Sequence, residues 1–445
     1  MGTIAKLTLE CLTSIRKQPV FKALALLEKS QYWAQPELLA YQNQKLLRLL
    51  GHCQQNVPFY RTRFPEQVFS ENQLALDHLK AYPVIDKAIM RQHLNEFIAA
   101  DGQGPTEHAK TSGSTGVALH FPKSLQASAF QLGAMYRGHR WHGIEPGALE
   151  ARLWGIPVNP LSRCKVHLID RLLNRFREIE YNLTPSVLDD FYVKLLKRKP
   201  AYLMGYTSMV SQFAHYLEET EKNGRALNLK MVKCTSETIH DTDRARIERA
   251  FGCPLVSEYG AAEAGVIAFQ CEAGSLHLMA DCCIVEFLDP PDNADESGLK
   301  EIVVTNLDNF ATPIVRYKIG DLAEPIDTPC TCGRMLPCVR NIVGRVSDIV
   351  KSVDGRRWHS IIFYYIMKGL EEKHGGVKQF KVIQTSLTNI DFIIVPGPDY
   401  TSLAEQYIIA MCKKHFGATM RVSIQIVSII EREKSGKLRD FISKI

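Results

Sequence analysis

The chain has 445 residues, 45% of them hydrophobic and 23% charged, proportions that fit a folded protein of two or three domains and exclude a disordered or collagen-like one. Its 54 Lys and Arg stand against 48 Asp and Glu, a net charge of +6 that is scattered along the chain and gives no basis for nucleic-acid binding. Twelve cysteines at irregular spacing do not read as a secreted disulfide framework; in a reducing compartment they are buried thiols or metal ligands. No eighteen apolar residues run together, the N-terminus has no signal-peptide core or cleavage site, and Lys6 stands where a myristoylation signal needs Ser or Thr. The expectation is therefore a cytoplasmic protein with no membrane insertion.

Residues 8–98 carry helical periodicity, as in Leu46, Leu47, Leu49 and Leu50 and again in Ile89, Met90, Leu94 and Phe97. After a Gly/Ser-rich run at 111–116, the pattern predicts a short strand at 118–121 and a helix at 124–141. Thr184-Pro185 is an N-cap followed by a proline at the first helical position, opening a helix that stops at Pro200. Strands are predicted at 201–206, 229–235, 254–259, 284–288 and 301–306, with helices between several of them, which makes an α/β architecture with mixed sheets. A compositional break falls at Gly344-Arg345-Val346-Ser347-Asp348. Beyond it, a helix at 359–372 and strands at 378–384, 390–396 and 421–430 predict a small α+β domain. The expected division is 1–343, a hinge at 344–351, and a mobile unit at 352–445. No internal repeat or low-complexity tract is present.

Chemistry concentrates in five segments. Thr111-Ser112-Gly113-Ser114-Thr115-Gly116 carries four hydroxyls and two glycines, a composition that cradles anions and points to a nucleoside triphosphate. No Gly-Lys-Ser/Thr follows, so it is not a Walker loop. In Ser257-Glu258-Tyr259-Gly260-Ala261-Ala262-Glu263 a strand runs into a turn flanked by an aromatic that can stack on a base and a carboxylate suited to Mg²⁺. In Arg316-Tyr317-Lys318-Ile319-Gly320-Asp321 an aspartate after a tight turn can accept from both ribose hydroxyls. Gly344 to Lys351 occupies the compositional break, and Ser435-Gly436-Lys437 places a lysine on a glycine loop.

In this order and spacing the five segments resemble the adenylate-forming superfamily of acyl-CoA synthetases and adenylation domains. Gly205-Tyr206-Thr207-Ser208 and Ser236-Glu237 are most similar to its phenylacetate-CoA ligase branch, including capsule-biosynthesis relatives; the resemblance spans about residues 80 to 445. It implies ATP-dependent activation of a carboxylic acid to an acyl adenylate, then acyl transfer to CoA, a carrier-protein thiol or an amine. AMP transfer to a small molecule and a non-catalytic nucleotide-binding module are the alternatives. On this resemblance, Thr111 to Gly116 holds the β- and γ-phosphates, and Ser236, Glu237 and Tyr259 frame the adenine, with Gly260 and Ala261 beside them. Glu263 coordinates Mg²⁺, Asp321 binds the ribose with Arg345 close by, and Asp348 to Lys351 form a hinge about which Lys437 swings in and out. Trp154 to Pro157, Gly205 to Ser208 and Tyr259 to Ala262 line the acid pocket, whose aromatics and small residues suit an aromatic or short acyl group. Ala262 departs from the threonine many relatives have there, Val117-Ala118 from their lysine, and the proline that often precedes the catalytic-lysine loop is absent.

Cys330 and Cys332, one residue apart, together with Cys271 and His277, make a Cys₃His set for a structural Zn²⁺ with no open position for catalysis. Cys282, Cys283 and Cys338 compete as ligands, and buried free thiols are the alternative.

Overall fold

A computed structural model describes residues 2–63, 79–101, 104–111, 119–154, 160–178, 183–290, 298–345, 349–354, 357–374, 376–433 and 437–445. Among the described residues, six helices, from Gly2–Ile15 to Leu94–Phe97, occupy the N-terminal part, as the periodicity predicts. A hairpin of β1 (Thr106–Lys110) and β2 (His120–Ser124) brackets the Gly/Ser-rich run. An eleven-stranded mixed sheet follows. Its strands are β3 (Glu150–Leu153), β4 (Arg175–Glu178), β5 (Tyr202–Gly205), β6 (Met231–Thr235), β7 (Leu255–Ala261), β8 (Gly265–Gln270), β9 (Leu276–Leu278), β10 (Cys283–Leu288), β11 (Lys300–Asn306), β12 (Tyr317–Pro325) and β13 (Cys338–Arg345). β4, β3, β5, β6 and β7 run parallel, and everything from β8 onward pairs antiparallel. The parallel half needs crossover helices, and Pro185–Arg198 between β4 and β5 carries its own start signal, Thr184 accepting from the Val187 amide; Ser124 does the same for Ala127 at the head of Leu125–Trp141, the helix that leads from β2 to β3.

The Leu125–Trp141 helix is the spine of the large unit. A Cβ at Gly138 would lie 2.5 Å from the Phe269 ring of β8, and one at Gly133 3.1 Å from the Leu24 backbone, so glycine sets how closely helix, strand and N-terminal helix pack. Arg137 of the same helix is fully buried and pairs with buried Asp281 at 2.5 Å, while also donating to the Leu27 carbonyl. Ser30 Oγ donates to the same carboxylate. Burial opposes ionisation of Asp281, yet the Arg137 guanidinium holds its pKa below the usual carboxylate value.

After the β14 (Ile349–Lys351) and β15 (Arg357–His359) ribbon, a four-stranded sheet in the order β18-β17-β16-β19 forms from β16 (Val377–Ser386), β17 (Asn389–Pro396), β18 (Arg421–Ile426) and β19 (Phe441–Ser443). Helices Ile361–His374 and Ser402–Phe416 accompany it, and Val350, Phe363, Phe392, Ile408 and Phe441 share a core separate from those of the large unit. The second helix, β14, β15 and β19 are not in the sequence reading, and β18 ends four residues before the predicted strand 421–430. Among the described residues, no helix is long and apolar enough to cross a membrane.

Candidate active site

A cleft of about 1090 Å³ opens at the carboxyl ends of the parallel strands and is walled on its other side by the C-terminal unit. Open α/β sheets offer ligands this edge, because successive strands feed loops of opposite sense around it. Thr207 and Ser208 reach it from the end of β5, Ser236 and Glu237 from the end of β6, and Tyr259 and Gly260 from β7. Ser236 has φ +72°, a left-handed conformation that a residue with a side chain adopts at a cost of about 1–2 kcal/mol. Glycine at 260 is required by the next strand, since a Cβ there would sit 2.4 Å from the Gly265 carbonyl oxygen.

Tyr259, Asp321 and Arg345 meet on the cleft wall. The Tyr259 hydroxyl donates to Asp321 at 2.9 Å, and Arg345 Nε lies 3.9 Å from the same carboxylate. Burial and the Asp321 charge push the Tyr259 phenol well above its ordinary value, so it stays a donor. Asp321 does not follow a tight turn: it lies inside β12, paired with Arg345 of β13, where Gly320 has φ +84° and the register shifts nearby. Arg316, in the same motif, has another task. It forks onto Glu286 at 2.9 and 3.1 Å and donates to the Lys80 and Tyr82 carbonyls, tying the N-terminal segment to the sheet.

Glu263 and Ala261 are not on the cleft wall. Glu263 occupies the turn between β7 and β8, is 6% exposed, and accepts from the Tyr317 hydroxyl at 3.1 Å. Two lysines that sequence reasoning passed over stand near it. Lys123 of β2 is buried, donates to Gln131 at 2.5 Å and approaches the Ala262 carbonyl at 3.4 Å; burial lowers its pKa to about 8. Lys87 is also lowered, by burial and by the charges of Arg345 and Arg91. Neither belongs to a motif, so only folding reveals them.

Thr111 sits at the stem of the Gly/Ser run. Its hydroxyl accepts from the Leu119 amide at 2.9 Å and its own amide donates to the Leu119 carbonyl, which ties the two ends of that run together. Ser112, Gly113, Ser114, Thr115 and Gly116 lie outside the described residues, as do Asp348 and residues 155–157. Trp154 stacks on Tyr206 with ring centroids 4.2 Å apart. Lys351 lies in β14, its backbone held on both sides by the side-chain amide of buried Gln384.

Lys437 lines the cleft from the C-terminal unit. Burial lowers its pKa and Arg345 lowers it further, against the pull of Glu237, Asp321 and Glu433. Glu237 faces the same unit: it accepts from the amides of Ser208 and Leu438, with Arg432 at 3.9 Å.

The Cys271, His277, Cys330 and Cys332 ligand atoms all lie within 4.8 Å of one another. Cys271 and Cys330 sulfurs are 3.6 Å apart, and Cys332 Sγ is 3.2 Å from His277 Nε2. A tetrahedral Zn²⁺ with Zn–S of about 2.3 Å and Zn–N of about 2.0 Å sets S···S edges at about 3.8 Å and S···N edges at about 3.5 Å; the two separations, 3.6 and 3.2 Å, are a few tenths shorter, so the donor set can take the ion with a small outward shift. His277 Nδ1 is 3.0 Å from the Leu336 carbonyl, leaving Nε2 toward the thiols, and burial keeps the imidazole neutral. Of the competitors, Cys338 lies 3.3 Å from His277 Nδ1 and 3.9 Å from Nε2, nearer the nitrogen that faces Leu336, while Cys282 is buried beside Asp281.

The CapK C-terminal domain family matches residues 350–444. The chain is 22% identical to Protein CapK of Staphylococcus aureus over 92% of its length and 90% of that protein's, and 25% identical to a phenylacetate-coenzyme A ligase of Thermus thermophilus over 71% and 72%. Its fold aligns with 2-hydroxyisobutyryl-CoA ligase in the postadenylation state at a TM-score of 0.73, with 18% identity, covering 94% of this chain and 92% of that one. The same ligase in its thioesterification state aligns at 0.61. The chain is thus similar over most of its length to CapK and to phenylacetate-coenzyme A ligases, and its fold is that of an adenylate-forming ligase with a C-terminal domain of the CapK type.

Proposed function

We propose that this chain uses ATP to convert a carboxylic acid into an acyl adenylate, releases pyrophosphate, and then passes the acyl group to CoA, a carrier-protein thiol or an amine. The observation that carries this reading is the meeting of Tyr259, Asp321 and Arg345 from the large unit with Lys437 from the small one on a single cleft. Asp321 has the acceptor oxygens for ribose hydroxyls, while Tyr259 offers an aromatic face beside the strained Ser236. The Gly/Ser run, tied at Thr111 and Leu119, supplies donors for the phosphates.

A carboxylate approaching the α-phosphorus brings anion onto anion, so the barrier is mainly electrostatic. Lys437 answers it as a positioned ammonium beside Arg345 and needs to transfer no proton. A compact charge on a flexible stem suits a group that must leave before the second step. Glu263 would be the carboxylate for Mg²⁺, which would neutralise phosphate charge, and to reach it from the cleft the ion would have to pass beyond the wall residues, behind which Glu263 accepts from Tyr317. The Cys₃His set would hold Zn²⁺ as a structural clamp joining β9 to the segment before β13. The acid would sit near Thr207 and Ser208, behind which Trp154 stacks on Tyr206, a setting that suits an aromatic or short acyl group.

Exchange of labelled pyrophosphate into ATP across a panel of aromatic, short aliphatic and hydroxy acids tests the reading. Acid-dependent exchange is the expected result. ATP binding with no exchange for any acid would leave only a nucleotide-binding module, and accumulation of a stable adenylate as final product would replace acyl transfer with AMP transfer.

A further inference from the structure

Glu237 was expected beside the adenine, but its oxygens are engaged elsewhere. Oε2 accepts from the Ser208 amide at 2.8 Å, at the head of the Thr207–Glu219 helix of the large unit. Oε1 accepts from the Leu438 amide at 2.7 Å, the residue directly after Lys437. Arg432, also of the C-terminal unit, donates to Ser208 Oγ at 2.5 Å and lies 3.9 Å from the Glu237 carboxylate. The Glu237 side chain is 8% exposed. Carboxylates bonded to backbone amides make strong, directional contacts, because the charge is carried by one partner and the geometry fixed by both. Here one carboxylate bonds an amide on each side of the join between the two units.

We infer that Glu237 is a positioning residue for Lys437: it docks the lysine-bearing segment onto the large unit in the adenylate-forming arrangement and does not recognise the nucleotide. The inference rests on the proposed adenylation. For the small unit to move between half-reactions, the Leu438 bond and the Arg432 contacts must open together, while the Ser208 bond stays with the large unit. A residue that frames adenine serves both half-reactions, since the nucleotide is present in both. A docking residue serves only the first.

The test is Glu237→Gln, which keeps the size but replaces one acceptor with a donor aimed at an amide. Pyrophosphate exchange should fall about 10- to 100-fold in kcat, with the KM for ATP changed less than about 2-fold. Acyl transfer from a supplied acyl adenylate should be retained. A rise of about 10-fold or more in the KM for ATP with loss of both steps would overturn the inference in favour of nucleotide contact, and unchanged kinetics would overturn it outright. Arg432→Gln approaches the join from the other side; it should give the same split and combine non-additively with Glu237→Gln, whereas additive effects would contradict a shared contact. A readout independent of activity separates this inference from the reading it rests on. Spin labels at Lys194 of the large unit and Lys413 of the small one should give a broader distance distribution in Glu237→Gln than in the unsubstituted protein. If the unsubstituted protein shows no exchange but the distribution still broadens, the adenylation reading fails and the docking role stands. An unchanged distribution overturns the docking role.

Discussion

The Cys/His tetrad and the cleft are both built from residues far apart in sequence, yet they differ in what holds them together. All four tetrad residues come from the large unit, are buried or half-buried, and face one another over the end of one sheet. The cleft is complete only while the C-terminal unit lies against the large one, through Glu237 to Leu438, Lys378 to Glu219 and His240 stacked on Tyr364. The tetrad therefore does not depend on how the two units lie, whereas Lys437 lines the cleft through the contacts that join them. On the proposed reaction the tetrad would stay assembled while the cleft opens between the half-reactions, and the two are held by different contacts.

The largest effect should come from inside the large unit. Asp281→Ala strands the fully buried Arg137 guanidinium and should destabilise the large unit by about 3–5 kcal/mol, read by denaturant unfolding, with the small unit's own transition unmoved. Cys332→Ser should follow: it removes one of the four ligands, so zinc measured by elemental analysis should drop from about one ion per chain, with a loss of about 2–3 kcal/mol in the large unit. Near-zero zinc in unsubstituted protein purified without chelator would dissolve the contrast by making the tetrad free thiols. On the cleft side, Asp321→Asn should raise the KM for ATP about 10- to 30-fold, the loss of a charged acceptor worth about 1.5–2 kcal/mol, and leave zinc untouched. The pH profile sharpens the comparison further. Burial and Arg345 lower the Lys437 pKa, and the reaction needs its ammonium, so exchange should fall on the alkaline side before pH 10.5, the ordinary lysine value. Lys437→Arg should shift that limb upward in whatever activity remains. The smallest effect belongs to His240. Burial would lower its pKa, but the Asp440 carboxylate 3.6 Å away raises it. The contact is thus present below the ordinary histidine value and lost as pH rises through the raised one. His240→Gln should loosen the join by no more than about 0.5 kcal/mol near pH 6 and not at all well above that value, as read by the same spin-label distances.

The helices headed by Ser124 and Thr184 and the strands from Ala201 to Tyr259 were legible from a Ser or Thr cap, a proline at the first helical position or an apolar run between turn signals, whereas β3, β4 and the Pro160–Leu172 helix between them were not predicted. The motif residues Tyr259, Asp321, Arg345 and Lys437 were legible as a set by order and spacing. The tetrad was legible because Cys330 and Cys332 stand one residue apart, although nothing in the spacing said that Cys338 would lie nearer His277 Nδ1 than Nε2. What escaped was decided by three-dimensional neighbours. Arg316 reads as part of the ribose motif but is spent on Glu286 and two carbonyls. Lys123 and Lys87 become charges beside Glu263 only once the hairpin and the N-terminal helices pack against the β7–β8 turn. Glu237 follows Ser236 in sequence and shares its expected role, yet the side chain points across the join.

The central claim is that Lys437, delivered by the C-terminal unit, completes the cleft for the first half-reaction alone, and Lys437→Ala assayed separately in the two halves tests it most directly. Exchange should fall about 10²- to 10³-fold, while acyl transfer from a supplied acyl adenylate proceeds within about 2-fold of the unsubstituted rate. Equal loss of both halves would contradict the claim, because it would make Lys437 a fixed part of the site.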